Sequence, residues 1–104
     1  MIRHCVFVRF PTELDRSAID TLLAGLHEVC APLDGVLDVR IGPNRSPETE
    51  LSHGFGHGFT IDFATAADRD AYLVDEAHQA FGGRLVAAAT GGADGIFVFD
   101  FELD

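Results

Sequence analysis

Four side chains in this sequence could move or hold protons near neutral pH: His4, His57, Tyr72 and His78. An imidazole titrates close to neutrality and its surroundings tune it in either direction. A phenol beside it can donate a hydrogen bond to an oxygen on which negative charge develops. Successive strand residues alternate sides, so His57, Phe59, Ile61 and Phe63 share one face while Gly58, Thr60, Asp62 and Ala64 share the other. By the same alternation His4 goes with Val6, Val8 and Phe10. If helices cover that side, and Tyr72 and His78 approach it, four protonatable groups converge in an apolar setting, which is what a general acid-base site requires. The competing use of such residues is structural, as hydrogen-bonded members of a core or as helix caps.

Other constellations carry less. Asp75 and Glu76 stand just before His78, and their charge is expected to favour the imidazolium form. His53 and His57 are four residues apart, but on a strand that separates them by ~13 Å, so they cannot share a metal as two helix-borne histidines would. His4, His57 and His78 would give a three-histidine set with an open position. No Asp or Glu stands out as their supporting partner, and no metal is expected. The glycines of Gly54-Phe55-Gly56-His57-Gly58 read as part of a strand rather than a phosphate loop, which needs a strand before it and a helix after. His27 falls at the edge of a helical stripe, half exposed. No Ser- or Cys-centred nucleophile motif is present.

The elements that must position these groups follow from periodicity. Residues 2 to 10 alternate as a strand that Pro11 stops. Thr12 and Asp15 resemble a helix cap box. After them Ile19, Leu22, Leu23, Leu26, Val29, Cys30 and Leu33 fall on one helical stripe that Pro32 and Gly35 end. Residues 36 to 42 alternate again, with Leu37, Val39 and Ile41 opposed to Val36, Asp38 and Arg40. A polar connection from Asn44 to Ser52 leads to a third strand, from about Gly54 to Ala64. Thr65 with Asp68 starts a short helix through Tyr72. A second helical piece begins after Asp75, is interrupted at Gly82 and Gly83, and gives way to a last strand, Ile96 to Leu103.

The order β-α-β-β-α-β is that of an α+β, ferredoxin-like fold: a four-stranded antiparallel sheet with helices on one face. Its other face is then bare, with Cys5, Phe7, Phe97, Phe99 and Phe101 side by side, more than a soluble monomer usually exposes. A homodimer packed through that open sheet face is the expected solution. Arg3 and Arg9, on the same side, are candidates to pair with Asp62 or Glu102.

Composition sets outer bounds. The 104 residues suit one domain, 1–104, with one modest core. Seven basic against 17 acidic side chains give a formal charge of -10, which repels phosphate backbones and excludes nucleic acid and anionic membrane surfaces as expected partners. No apolar run approaches the ~20 residues of a membrane helix. The N-terminus lacks a secretory pattern, so the expected location is cytoplasmic, and Cys5 and Cys30 are expected to be reduced and buried.

Ile2-Arg3-His4-Cys5-Val6, His57-Gly58-Phe59-Thr60-Ile61-Asp62-Phe63, Asp70-Ala71-Tyr72-Leu73 with Ala77-His78-Gln79-Ala80-Phe81, and Phe99-Asp100-Phe101 resemble the stress-responsive dimeric α/β-barrel (Dabb) domain family across nearly the whole chain. The resemblance implies a dimeric α/β barrel. Through the family's plant enzyme olivetolic acid cyclase, which closes a polyketide ring without a cofactor, it also implies a set of roles. His78 is the general base, Tyr72 its hydrogen-bonding partner, and His4 and His57 line the pocket. Val6, Leu23, Phe59 and Phe81 are the apolar side chains expected around a small hydrophobic, phenolic or polyketide-like ligand. The chain departs from the family pattern where His-Pro commonly precedes the Ala-His pair, having Asp75-Glu76 instead. Two other readings stand beside this one: a non-catalytic stress-response dimer with a structural or assembly role, and a heme- or flavin-assisted monooxygenase, for which no binding motif is recognisable.

Overall fold

The alternating N-terminal stretch forms strand β1 (Ile2–Val8) in the computed structural model, which describes all 104 residues. It is followed by α1 (Arg16–Cys30), β2 (Val36–Pro43), β3 (His57–Phe63), α2 (Ala66–Val74), α3 (Glu76–Ala88) and β4 (Ile96–Glu102), with short 3-10 turns at Thr49–Leu51 and Gly92–Gly95. The four strands form one antiparallel sheet in the order β2-β3-β1-β4, with the helices against one face. This is the ferredoxin-like α+β arrangement that the element order predicts, its second helical region broken in two at Asp75.

Several boundaries differ from the sequence expectation for identifiable reasons. The first helix is capped by Asp15 rather than by a Thr12 box, with no side-chain hydrogen bond at that position. Leu37 lies in an irregularity of the β2–β3 ladder, which shifts the alternation by one. Val36, Val39 and Ile41 therefore pack against the core, and Leu37 is 59% exposed. Gly54 sits in a left-handed turn (φ 81°) before β3 rather than within it. Thr65 does cap α2, its Oγ1 accepting from the Asp68 N–H at 3.2 Å. The helix α3 runs unbroken through Gly82 and Gly83, held by buried Phe81 and Leu85 on its inner face.

The core lies between sheet and helices. Val6 and Val8 from β1, Phe59, Ile61 and Phe63 from β3, Ile19, Leu23, Leu26 and Val29 from α1, and Tyr72, Phe81 and Leu85 from α2 and α3 make one buried cluster. On the opposite face Phe7, Phe97, Phe99 and Phe101 are between 38% and 49% exposed. Cys5 shares that face but is buried, so four large side chains rather than five form the apolar patch. Arg3 makes a two-pronged ion pair with Asp62 there, at 2.8 and 3.0 Å. Arg9 finds no carboxylate; its guanidinium lies 4.4 Å from the centre of the Phe55 ring. Val98 is on the helix-facing side of the edge strand β4 but is 55% exposed. Both cysteines are free and buried. No helix is long and apolar enough to cross a membrane.

Candidate functional site

The site is built where β1 and β4 meet α2 and the start of α3. Antiparallel register sets His4 opposite Ile61 on one side and Asp100 on the other. Paired residues share a face, so the Asp100 carboxylate reaches the His4 ring: Nδ1 to Oδ1 is 2.7 Å. The carboxylate's second oxygen accepts from Arg69 Nη1 at 2.7 Å, and Arg69 Nε donates to Asp70 Oδ1 at 2.9 Å. Arg69 and Tyr72 are three apart on α2 and thus lie on one side of it. The Arg69–Asp100 pair fixes that helix to the sheet edge.

Tyr72 is almost wholly buried, its ring 5.7 Å from His4 and 5.3 Å from Phe63. Burial pushes its phenol well above the ordinary tyrosine range, with the Cys30 thiol adding to the effect, so at neutral pH it keeps its proton and can donate a hydrogen bond. The His78 ring lies 4.1 Å from the Tyr72 ring, tilted by 45°. The contact is between ring faces, and the polar partner of His78 is instead the Leu73 carbonyl, 3.2 Å from Nδ1. That carbonyl can only accept, so Nδ1 carries the hydrogen and Nε2 the lone pair.

The expectation that Asp75 and Glu76 hold His78 as imidazolium is overturned. Burial is the largest influence and lowers the His78 pKa; the Leu73 carbonyl pulls it up, His4 adds a further lowering, and Asp75 a lesser raising. Partial burial of the ring against Tyr72 outweighs the half-exposed Asp75 carboxylate, the smallest of these influences.

The four groups do not all converge. His4, Tyr72 and His78 form a contiguous row, whereas His57 pairs with Val8 and Pro43 at the far end of the sheet, four strand residues or about 13 Å along from the His4 level. There it meets Phe10 edge-on at 5.6 Å and borders a cleft of about 250 Å³ with Arg16, Asp20, Leu23 and exposed His27. Its Nε2 is buried without a partner, and burial, followed by the nearby Arg16, lowers its pKa. No three His, Cys, Asp or Glu side chains are arranged to share a metal ion. Val6, Leu23, Phe59 and Phe81 are core members, with Phe59 and Phe81 rings 6.0 Å apart edge-to-face. They fill the space between sheet and helices. A larger hollow than the cleft at His57 lies elsewhere, a groove of about 770 Å³ on the open sheet face beside the β2–β3 connection.

Asp100 and Arg69 were not among the residues expected at the site. The signal for Asp100 was present: it continues the Ile96, Val98 alternation on the helix-facing side of β4, where a carboxylate needs a buried partner.

The architecture recurs in solved structures. A dimeric ferredoxin-like protein of unknown function from Jannaschia sp. is 37% identical, covering 98% of both chains with a TM-score of 0.88. A hydroxynitrile lyase from Passiflora edulis shares the fold at 21% identity, with 99% of this chain and 93% of that one covered and a TM-score of 0.82. A Dabb family protein from Mesorhizobium loti does so at 20% identity, 98% and 95% coverage and a TM-score of 0.76. A search of functionally curated proteins gives no match. The Stress responsive A/B Barrel Domain model matches residues 2–103, and the strand register and the Jannaschia likeness agree with it: this chain belongs to the Dabb family.

Proposed function

We propose that the protein works as a homodimer joined through its open sheet face, and that each subunit binds a small hydrophobic molecule, phenolic or polyketide-like, beside His78 and Tyr72 and converts it by cofactor-free acid-base chemistry. The carrying observation is the state of His78: partly buried, biased toward the neutral form, and with its Nδ1–H committed to the Leu73 carbonyl so that Nε2 is the basic atom. Nε2 would take a proton from a carbon flanked by carbonyls; the C–H electron pair moves onto a carbonyl oxygen, and the Tyr72 O–H hydrogen-bonds the enolate so formed. Asp100, held by Arg69, orients the buried His4 ring through its Nδ1. The likeness to olivetolic acid cyclase belongs to this proposal, and the Passiflora neighbour, a hydroxynitrile lyase, supports the idea that the fold hosts reactions of small organic molecules.

The test is enol formation from a hydrophobic 1,3-diketone, followed by its ultraviolet absorbance in a stopped-flow instrument. Wild type should exceed the buffer rate by about a hundredfold or more, His78→Ala should fall to the buffer rate, and Tyr72→Phe should lie between. Equal rates for wild type and His78→Ala would remove His78 from any chemistry. A second reading, a non-catalytic dimer with a structural or assembly role, is favoured by the filling of the sheet–helix space by Leu23, Phe59 and Phe63. It expects no rate above buffer in either protein.

A further inference from the structure

The groove on the open sheet face lies across the sheet from His4, Tyr72 and His78, and nothing in the acid-base reading uses it. Its floor is formed where Gly42 of β2 pairs with Gly58 of β3, both on the open face, so two facing positions of the ladder lack side chains. A Cβ at Gly42 would meet no atom within 4 Å, whereas the Phe7 ring already covers Gly58, its Cδ1 2.8 Å from where a Cβ would stand. One wall is aromatic. The Phe97 ring lies 6.2 Å from both Phe7, stacked, and Phe55, edge-on. The other wall is the start of the β2–β3 connection, and it is tied down: Asn44 N–H donates to the Gly56 carbonyl at 2.8 Å, and Asn44 Nδ2 to the Phe55 carbonyl at 3.0 Å.

Charge at the groove runs against the rest of the chain. With 17 acidic and seven basic residues the chain is strongly anionic, yet the lining carries Arg40 and Arg45 against Glu48 as its one carboxylate. Arg40 uses Nε on Asp38 at 2.7 Å, and Arg45 makes no ion pair or side-chain hydrogen bond within the chain. Arginine offers planar, fork-shaped recognition of a carboxylate. The volume, about 770 Å³, is in the range of small-molecule sites. Phe7 and Phe97 also belong to the face through which the proposed homodimer joins, so the groove opens at that interface.

We propose that the groove is a binding site for a flat aromatic carboxylate, its rings over Gly42 against Phe7, Phe55 and Phe97 and its carboxylate toward Arg45 and the free end of Arg40. The site is separate from that of the proposed reaction.

The test uses 2-naphthoate as probe, with uncharged 2-naphthalenemethanol for comparison, titrated by calorimetry into wild type, Gly42→Val, Arg45→Gln and His78→Ala, while sedimentation records the oligomeric state of each. Gly42→Val places a strand-compatible side chain in open space, so the fold is retained and the floor is filled. The expected results are saturable 2-naphthoate binding to wild type, its loss in Gly42→Val, about fivefold weakening in Arg45→Gln, weaker binding of the alcohol, and unchanged affinity in His78→Ala. Absence of binding to wild type, or equal binding to wild type and Gly42→Val, would overturn the proposal. So would a Gly42→Val protein that loses its dimer while wild type ignores 2-naphthoate, a result that would assign the groove to a second copy. Loss of binding in His78→Ala would place the probe at the acid-base site and overturn it as well.

Discussion

His57 and His78 illustrate two ways in which this fold treats a histidine. His78 gives its Nδ1–H to a carbonyl, while His57 presents a buried Nε2 with no partner. An unsatisfied buried polar atom costs on the order of 1–3 kcal/mol, so replacing His57 by a side chain of similar size that needs no partner should stabilise the protein. His57→Leu is expected to raise stability by about 1 kcal/mol at pH 7.5, read as a higher urea midpoint. Both histidines have folded pKa values below their unfolded ones. The unfolded chain therefore binds protons more readily, and stability is full above the ordinary histidine pKa and falls as pH drops below about 6.5. His57→Leu removes one of these two contributions, so its urea midpoint should fall less than the wild-type midpoint between about pH 7.5 and 5.5. A variant that is less stable than wild type at both pH values would mean that the His57 nitrogen has a partner in solution. The same scale shows why part of the site was hidden in the sequence. His4, Tyr72 and His78 stand out by type, but Asp100 and Arg69 are ordinary surface residues until the β1–β4 register puts a carboxylate against His4. Separation of His57 from the other three likewise needs the distance along the sheet, which alternation alone does not give.

Secondary-structure elements were legible wherever one signal dominated and misplaced wherever two competed. The alternation of β1, the stripe of α1 and the Thr65 cap were plain. The α3 helix was not, because Gly82-Gly83 looks like a stop. Each glycine costs about 1 kcal/mol relative to alanine in a helix interior, while burying Phe81 and Leu85 returns roughly 2 kcal/mol each, so packing overrides propensity. Alternation alone puts Leu37 of β2 on the wrong face, because an irregular ladder at that residue cannot be seen in a local pattern. The α3 explanation has a direct consequence. A Cβ at Gly82 or Gly83 would meet nothing within 4 Å, and neither residue has a positive φ. Gly82→Ala and Gly83→Ala should each raise stability by about 0.5–1 kcal/mol, and the double variant by nearly the sum. Gly58→Ala should do the reverse, since its Cβ would lie 2.8 Å from Phe7 Cδ1 and 2.9 Å from the Val6 carbonyl oxygen. Thermal unfolding followed by circular dichroism reads all of these, and a destabilising Gly83→Ala would show that α3 bends there.

At the scale of the whole molecule two opposed forces act between copies. Four half-exposed phenylalanines on the open face favour association; completing the burial of each is worth roughly 1 kcal/mol. Against this, each chain carries a formal charge of -10, so two copies repel one another. Arg3 and Asp62, open-face ions on the two middle strands, already satisfy each other within one chain and leave little charge to be matched across an interface. A dimer held in this way should tighten as salt screens the repulsion. Sedimentation equilibrium between about 20 and 300 mM NaCl, over which the screening length falls severalfold, should show the dissociation constant decreasing with salt. A dimer resting on ion pairs between subunits would weaken instead. Phe99→Asp, placed opposite Cys5 in the β1–β4 register, sets a carboxylate in the middle of the apolar patch and should give a folded monomer at micromolar concentration. A Phe99→Asp protein that remains dimeric, with a dissociation constant rising with salt, would show that the copies meet through another surface and that these phenylalanines face something else.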